Sequence, residues 1–254
     1  SDKTVSLVEN LQQETVRVIE GTSRMGKPVR LNQFFNFAST DFAVILDADV
    51  KITSADLIEN LLQPMFADEH IMLTSGKEIP LEPRVFFEKI VYTGEKLWDD
   101  TKMRVSSTEM YLCEGKIRAF RKQLYKEMRF PDVSADDVYP YLYVRKKHYR
   151  FASVPQAVAY YRLPTTFSGY TKQMHRFLQS KDIHTKNFDT ATMSENFVIT
   201  TPVKMQVLLK SLYTNFFLTT LYIGILAFPK ILHMIRKGDE HSVWDIISST
   251  KQVV

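Results

Sequence analysis

The chain has 254 residues, 44% of them hydrophobic and only 8 of them glycine, which is enough to bury one sizeable α/β core with a small appendage and excludes a disordered or glycine-rich repeat protein. Its 33 Lys and Arg against 29 acidic residues leave a formal charge of +4, too mild an excess to indicate nucleic acid, though it suits an anionic substrate or an anionic membrane surface. The single cysteine, Cys113, excludes an internal disulfide and a cysteine-rich metal centre, and reads as a small buried hydrophobe.

Ser1-Asp2-Lys3-Thr4 is followed by no apolar signal-peptide core. Val5, Val8 and Leu11 recur at helical spacing, and Val16 to Ile19 reads as a short strand. Gly21 to Gly26 is a loop carrying Arg24, and Pro28 suits the first turn of a helix bearing Val29, Leu31, Phe34 and Phe35. Phe42 to Leu46 is nearly all apolar, as a strand covered on both faces would be. It ends in Asp47-Ala48-Asp49. In an extended backbone residues two apart point the same way, so both carboxylates can face one ligand, and such a pair suits a hard divalent cation carrying phosphates. An ordinary Asp-rich turn is the alternative.

Thr53 or Ser54 can cap a helix whose Leu57, Ile58, Leu61, Leu62 and Met65 form one stripe. Ile71 to Thr74 is a strand candidate, Arg84 to Trp98 a helix, and Met110 to Cys113 a short strand ended by Glu114-Gly115. Arg118 to Arg129 reads as a basic helix. Asp132, Asp136 and Asp137 then precede an apolar helix start at Val138. Either Asp136 or Asp137 can serve as a helix N-cap or as a carboxylate general base. Phe151 to Val154 and Ala157 to Tyr161 are extended pieces flanking Pro155. Strands separated by helices favour a largely parallel sheet with ligands at its carboxyl edge.

Gln173-Met174-His175-Arg176-Phe177 places Gln173, Arg176 and Phe177 on one helix face. With it, the chain resembles family 2 glycosyltransferases, particularly their membrane-attached, polysaccharide- or lipid-modifying members. Asp47-Ala48-Asp49 is similar to the family's DxD motif, Ala135-Asp136-Asp137 to its acceptor-side (T/E)-(E/D)-D motif, and Gln173 to Phe177 to QxxRW with Phe in place of Trp. Gly26-Lys27 with Leu31-Asn32 resembles the GK…LN segment that precedes the DxD strand.

This resemblance implies a GT-A fold, a Rossmann-like mixed sheet with helices on both faces, spanning residues 1–200. It implies an inverting, metal-dependent transfer of a sugar from a nucleotide-sugar donor to a glycan or lipid-linked acceptor. Asp47 would contact the ribose or diphosphate side of the donor. Asp49 would help hold Mg²⁺ or Mn²⁺, Lys27 would lie near phosphate, and Gln173 and Arg176 would bind the pyrophosphate. Asp137 would be the base. Asp136, Gly115 and Phe177 would stand on the acceptor side, while Arg24 is either a phosphate contact or a solvated loop residue. Ser1 to Thr4 resembles the tail of an early family segment, so the first strands are expected upstream. A nucleotidyltransferase of similar fold and a noncatalytic membrane-associated binding protein remain the alternatives.

Residues 201–254 complete the expectations. Ser211 to Pro229 has no charged residue, and a helix of about nineteen residues rises roughly 28 Å, enough for a thin hydrocarbon core. The alternative is a buried or interfacial helix. Lys204, Lys210, Lys230, Arg236 and Lys237 flank the segment on both sides, so charge does not orient it. Trp244 is a candidate interfacial anchor. Together with the resemblance, this implies a membrane-bound protein with its catalytic domain on the cytoplasmic side.

Overall fold

The computed structural model describes residues 4–10, 13–19, 25–105, 108–131 and 136–235. The opening helix forms as α1 (Thr4–Glu9), but Val16 to Ile19 form no strand. Arg24, Asp132, Ala135, Arg236, Lys237 and Trp244 lie outside the described residues.

Among the described residues five strands make one sheet: β1 (Phe42–Leu46), β2 (Val50–Lys51), β3 (Ile71–Pro80), β4 (Ile117–Arg121) and β5 (Arg150–Tyr161), in the order β1-β4-β3-β5-β2. Only β3 and β5 pair in parallel; β4 runs against both β1 and β3, and β2 runs against β5. The sheet is therefore mixed, as a GT-A sheet is, and the largely parallel arrangement expected from alternation is wrong. The cause is local. The basic helix expected over Arg118 to Arg129 begins late: Arg118 to Arg121 belong to β4, and Lys122–Glu127 is helical, as α5. Arg118 can lie in a buried strand because a carboxylate meets it there.

Period-two alternation in β1 divides the core. Ala43 and Ile45 face Leu31 and Phe35 of α2 (Lys27–Phe37), together with Phe120, Leu124 and Tyr125. Phe42 and Val44 face the stripe Leu57, Leu61 and Met65 of α3 (Leu57–Ala67). Helices thus cover both faces. The expected strand at Met110 to Cys113 is instead a single 3₁₀ turn over Met110–Leu112. The two pieces around Pro155 are one strand, β5, whose register against β3 shifts between Gly76 and Lys77. There a Cβ on Gly76 would overlap the Ala157 carbonyl.

The remaining helices are α4 (Phe86–Lys102), α6 (Val138–Lys146), α7 (Phe167–Asn187), α8 (Thr190–Asn196), α9 (Thr201–Thr214) and α10 (Phe216–Ile235). The apolar stretch from Ser211 is not one helix. Its first residues end α9, Asn215 breaks the backbone, and the Ser211 and Thr219 hydroxyls meet at 2.7 Å across the corner. One side of α10 packs: Tyr222 and Ile225 join Val91, Leu163 and Tyr170, and Phe228 meets Phe167, while Phe216, Phe217, Ile223 and Ile231 stay exposed. Among the described residues no helix is long and apolar enough to cross a membrane. This finding overturns the expected membrane-spanning segment and the membrane location inferred from it.

Candidate functional site

The strand directions bring the carboxyl ends of β1 and β3 and the start of β4 to one edge. The Asp47 N–H donates to the Lys116 carbonyl at 2.9 Å, extending the β1–β4 ladder by one residue. The alternation of β1 carries on to Asp47, which faces α2. Gly26, with φ of 81°, turns the chain into that helix so that Lys27 is its first residue. The Lys27 ammonium lies 2.7 Å from Asp47 and 2.9 Å from Asp136. Ala48 and Asp49 form a turn between β1 and β2, so the extended spacing that would aim Asp47 and Asp49 alike is absent.

Asp136 is also held from behind. The fully buried Arg118 guanidinium approaches its carboxylate at 2.8 Å and donates to its backbone carbonyl. Burial pushes the Asp136 carboxyl upward, but Lys27 and then Arg118 outweigh it and hold the group below the usual carboxylate range. Burial likewise opposes the Lys27 charge, yet Asp136 and Asp47 keep its ammonium above its ordinary value. For Asp47 burial wins, and its carboxyl is raised despite Lys27. Asn32 of α2 fastens the chain ahead of Asp136: its side-chain amide donates to the Phe130 carbonyl at 2.8 Å, and its oxygen accepts from the Phe130 N–H at 2.9 Å.

Asp137 caps α6, accepting the Val138 N–H at 2.9 Å. Gly115 lies against it, since a Cβ there would come within 3.0 Å of the Asp137 Cβ. Cys113 is buried nearby, and burial pushes its thiol up to about 12, which rules it out as a nucleophile at neutral pH. From α7, Arg176 feels the charges of Asp49 and Asp136, although burial leaves its guanidinium below its ordinary value. The Gln173 side-chain oxygen is buried without a hydrogen-bond partner among the described residues, and Phe177 is 52% exposed.

Several residues at this edge escape the sequence motifs. Arg118 is one. Lys116 is another: its ammonium lies 2.9 Å from Glu78, whose other oxygen accepts the Lys116 N–H at 2.6 Å. Glu114 accepts the Glu78 N–H and a 2.7 Å bond from Lys102. His184 is a third, buried, with neither ring nitrogen partnered among the described residues, and feeling the charge of Asp137. Its signal is its place eleven residues after Gln173, three helical turns along the same face.

Residues 1–129 match the family model described as glycosyl transferase family 2. The chain belongs to that family. The matched stretch includes Lys27, Asp47, Asp49 and Gly115, whereas Asp136, Asp137, Gln173 and Arg176 lie beyond it. Among solved structures, this family 2 chain is similar to a mannosyltransferase from Pyrobaculum calidifontis in complex with GDP-Man and Mn²⁺, at 19% identity and a TM-score of 0.58, over 93% of this chain and 69% of that one. That likeness is one of fold. A mycobacterial protein matches more loosely, with a TM-score of 0.44 and 15% identity over 71% of this chain and 61% of that one. No curated protein matches the sequence.

Among the described residues no three His, Cys, Asp or Glu side chains converge as a ready metal cage. The carboxylate donors fit a different mode. Mg²⁺ and Mn²⁺ are commonly held by one or two carboxylates with substrate phosphates completing the shell. Asp49 could supply such an oxygen from the turn after β1, whereas Asp47 is engaged by Lys27.

Proposed function

We propose that this chain is an inverting glycosyltransferase that moves a sugar from a nucleotide-diphosphate donor to a hydroxyl of a glycan or lipid-linked acceptor. The observation that carries the reading is the bridge Asp47–Lys27–Asp136, which ties the donor-side carboxylates after β1 to the residue next to Asp137. Asp136 is fully engaged by two cations, so its oxygens serve the architecture. Asp137 is left as the carboxylate beside Gly115, and it is only half-buried.

In the reaction, Asp137 takes the proton of the acceptor hydroxyl as its oxygen bonds to the anomeric carbon on the face opposite the donor phosphate. The bond from that carbon to the phosphate oxygen breaks, and the nucleoside diphosphate leaves with the electron pair. Asp49 would hold a divalent cation, which would neutralise the charge gathering on the diphosphate. Arg176 of α7, which feels the charges of Asp49 and Asp136, would add charge-assisted hydrogen bonds to the same group. Gln173 and Phe177 line the helix face beside it.

The test is release of nucleoside diphosphate from a panel of nucleotide sugars headed by GDP-mannose, with Mn²⁺ and with EDTA. Metal-dependent release that is lost in Asp137→Asn is the expected result. Release of inorganic pyrophosphate would point instead to a nucleotidyltransferase, and full activity of Asp137→Asn would overturn the assignment of the base.

A further inference from the structure

We propose that Glu78 of β3 and Lys116, the residue ahead of β4, form the specificity-determining contact for the transferred hexose: Lys116 donates to one ring hydroxyl and Glu78 accepts from the neighbouring one. The inference rests on the transferase reading for its ligand, but on two residues that reading leaves without a role. Lys116 stands between the two halves of the site. It follows Gly115 in the chain, and its carbonyl accepts the Asp47 N–H at 2.9 Å, so the β1–β4 register carried one residue beyond Leu46 and Ile117 sets it opposite Asp47. Residues opposite one another share a face of the sheet. The Lys116 ammonium also lies 4.5 Å from the centre of the Tyr161 ring, and Tyr161 pairs with Val50, the residue after Asp49. During transfer the sugar has to lie between the diphosphate near Asp49 and the acceptor hydroxyl near Gly115 and Asp137.

The pair is held in place before any ligand arrives. One Glu78 oxygen accepts the Lys116 N–H at 2.6 Å, and the other lies 2.9 Å from the Lys116 ammonium. The Glu78 N–H donates to Glu114, which Lys102 meets at 2.7 Å while also meeting Asp99 at 2.9 Å. Glu78 and Glu114 therefore each have a lysine of their own. The pair is nevertheless not sealed, since its side chains stay 26% exposed at Lys116 and 12% at Glu78. An ammonium carries three N–H donors and a carboxylate about four lone-pair sites. Among the described residues Glu78 is the only acceptor that the Lys116 ammonium meets, so donors are left over on one partner and lone pairs on the other.

The chemistry selects the ligand. Burial opposes the Lys116 charge, but Glu78 and then Asp47 and Asp49 hold its ammonium above the ordinary value, and Lys116 in turn keeps Glu78 below the usual carboxylate range despite its burial. Both groups are therefore charged at neutral pH. With three carboxylates already acting on the ammonium, a further anion gains little from it, whereas hydroxyls use its spare donors and the Glu78 lone pairs together. Neighbouring ring hydroxyls of a hexose are spaced at about a hydrogen-bond length, which matches a cation and a carboxylate 2.9 Å apart. A partly exposed ion pair adds little to stability, while a site built to bond a substrate hydroxyl discriminates strongly against sugars that lack it.

The experiment is calorimetry in Mn²⁺ of GDP-mannose against GDP, and of UDP-glucose and UDP-galactose against UDP, on the wild type, on Glu78→Gln, on Lys116→Gln and on the double variant, which leaves no charge unpaired. The sugar is expected to add affinity for at least one donor, and each variant to cut that gain about tenfold while leaving affinity for the parent nucleotide unchanged. A purely structural role would lower both affinities alike. Equal losses for nucleotide and nucleotide sugar overturn the proposal, as does the absence of any sugar-dependent gain in the wild type. If a single variant does not fold, the double variant decides by the same ratio. If the variants lose the gain but the wild type turns over no nucleotide sugar, the transferase reading fails and the contact stands. If a donor is turned over and the variants keep the wild-type ratio, the contact alone fails.

Discussion

Lys27 and Asp136 meet at 2.9 Å, joining the first residue of α2 to the residue just ahead of the α6 cap. The contact explains why two adjacent aspartates have different fates. Asp136 is clamped between Lys27 and Arg118 in a buried setting, where an ion pair is worth keeping only if its charges are well satisfied. Asp137, one residue on, spends one oxygen on its own helix start and keeps the other.

Removing Arg118 exposes that dependence. Arg118→Met is expected to cost about 3–5 kcal/mol, because a buried carboxylate loses one of its two cations. Urea unfolding measures it directly; a loss below about 1 kcal/mol would mean that Lys27 alone satisfies Asp136. The Asp136 carboxyl is held below its unfolded value, so it stabilises the fold above that value and the contribution disappears as pH falls through the folded value. Asp136→Asn should therefore weaken the fold at neutral pH and flatten its loss of stability below about pH 4.

Asp137→Asn should behave in the opposite way. It keeps an oxygen to cap α6, so stability changes by less than about 1 kcal/mol. Sugar transfer at saturating acceptor falls roughly a hundredfold or more, the usual scale for loss of a general base. Nucleoside diphosphate binding, read by calorimetry, should be unchanged; weakened binding would show that Asp137 contacts the donor instead.

Gly115→Ala tests the packing beside the base. The new Cβ would stand 3.0 Å from the Asp137 Cβ, tight enough to push that residue by a few tenths of an ångström. Transfer is expected to drop about tenfold, since catalysis is sensitive to sub-ångström misplacement. Donor affinity and Tm should move little. Equal activity of the alanine variant would mean that the 115–137 contact has slack.

Much of this site was legible from local pattern. The apolar run of β1, Pro28 after Lys27 and the Leu57–Leu61–Met65 stripe each specify their element through spacing alone, and the structure has all three. What failed depended on distant partners. Arg118 looked like part of a basic helix because its neutralising carboxylate lies eighteen residues on and α2 must arrive to complete the cluster. The apolar stretch after Ser211 looked lipid-facing because Gly94, the residue that lets Tyr222 dock on α4, is far away in the chain. Asp47 and Asp49 were read as an extended pair, whereas the turn into β2 separates their directions.

His184 supplies the last prediction. Burial pushes its imidazole below the ordinary value, and the Asp137 charge opposes that shift. NMR should therefore find its titration midpoint below about 6.5, and lower still in Asp137→Asn, where the favourable charge is gone. An unchanged midpoint in that variant would show that the two groups do not interact. Because the folded state resists protonation while the unfolded state accepts it, His184 makes stability fall as pH drops below about 6.5, down to the folded midpoint. Its two ring nitrogens lack partners among the described residues, and its ring lies 6.5 Å from that of Phe188, so an apolar ring suits the position. His184→Phe is expected to stabilise the protein by about 1 kcal/mol near pH 6 and to remove this pH dependence. A destabilised variant would mean that the imidazole is held by hydrogen bonds in solution.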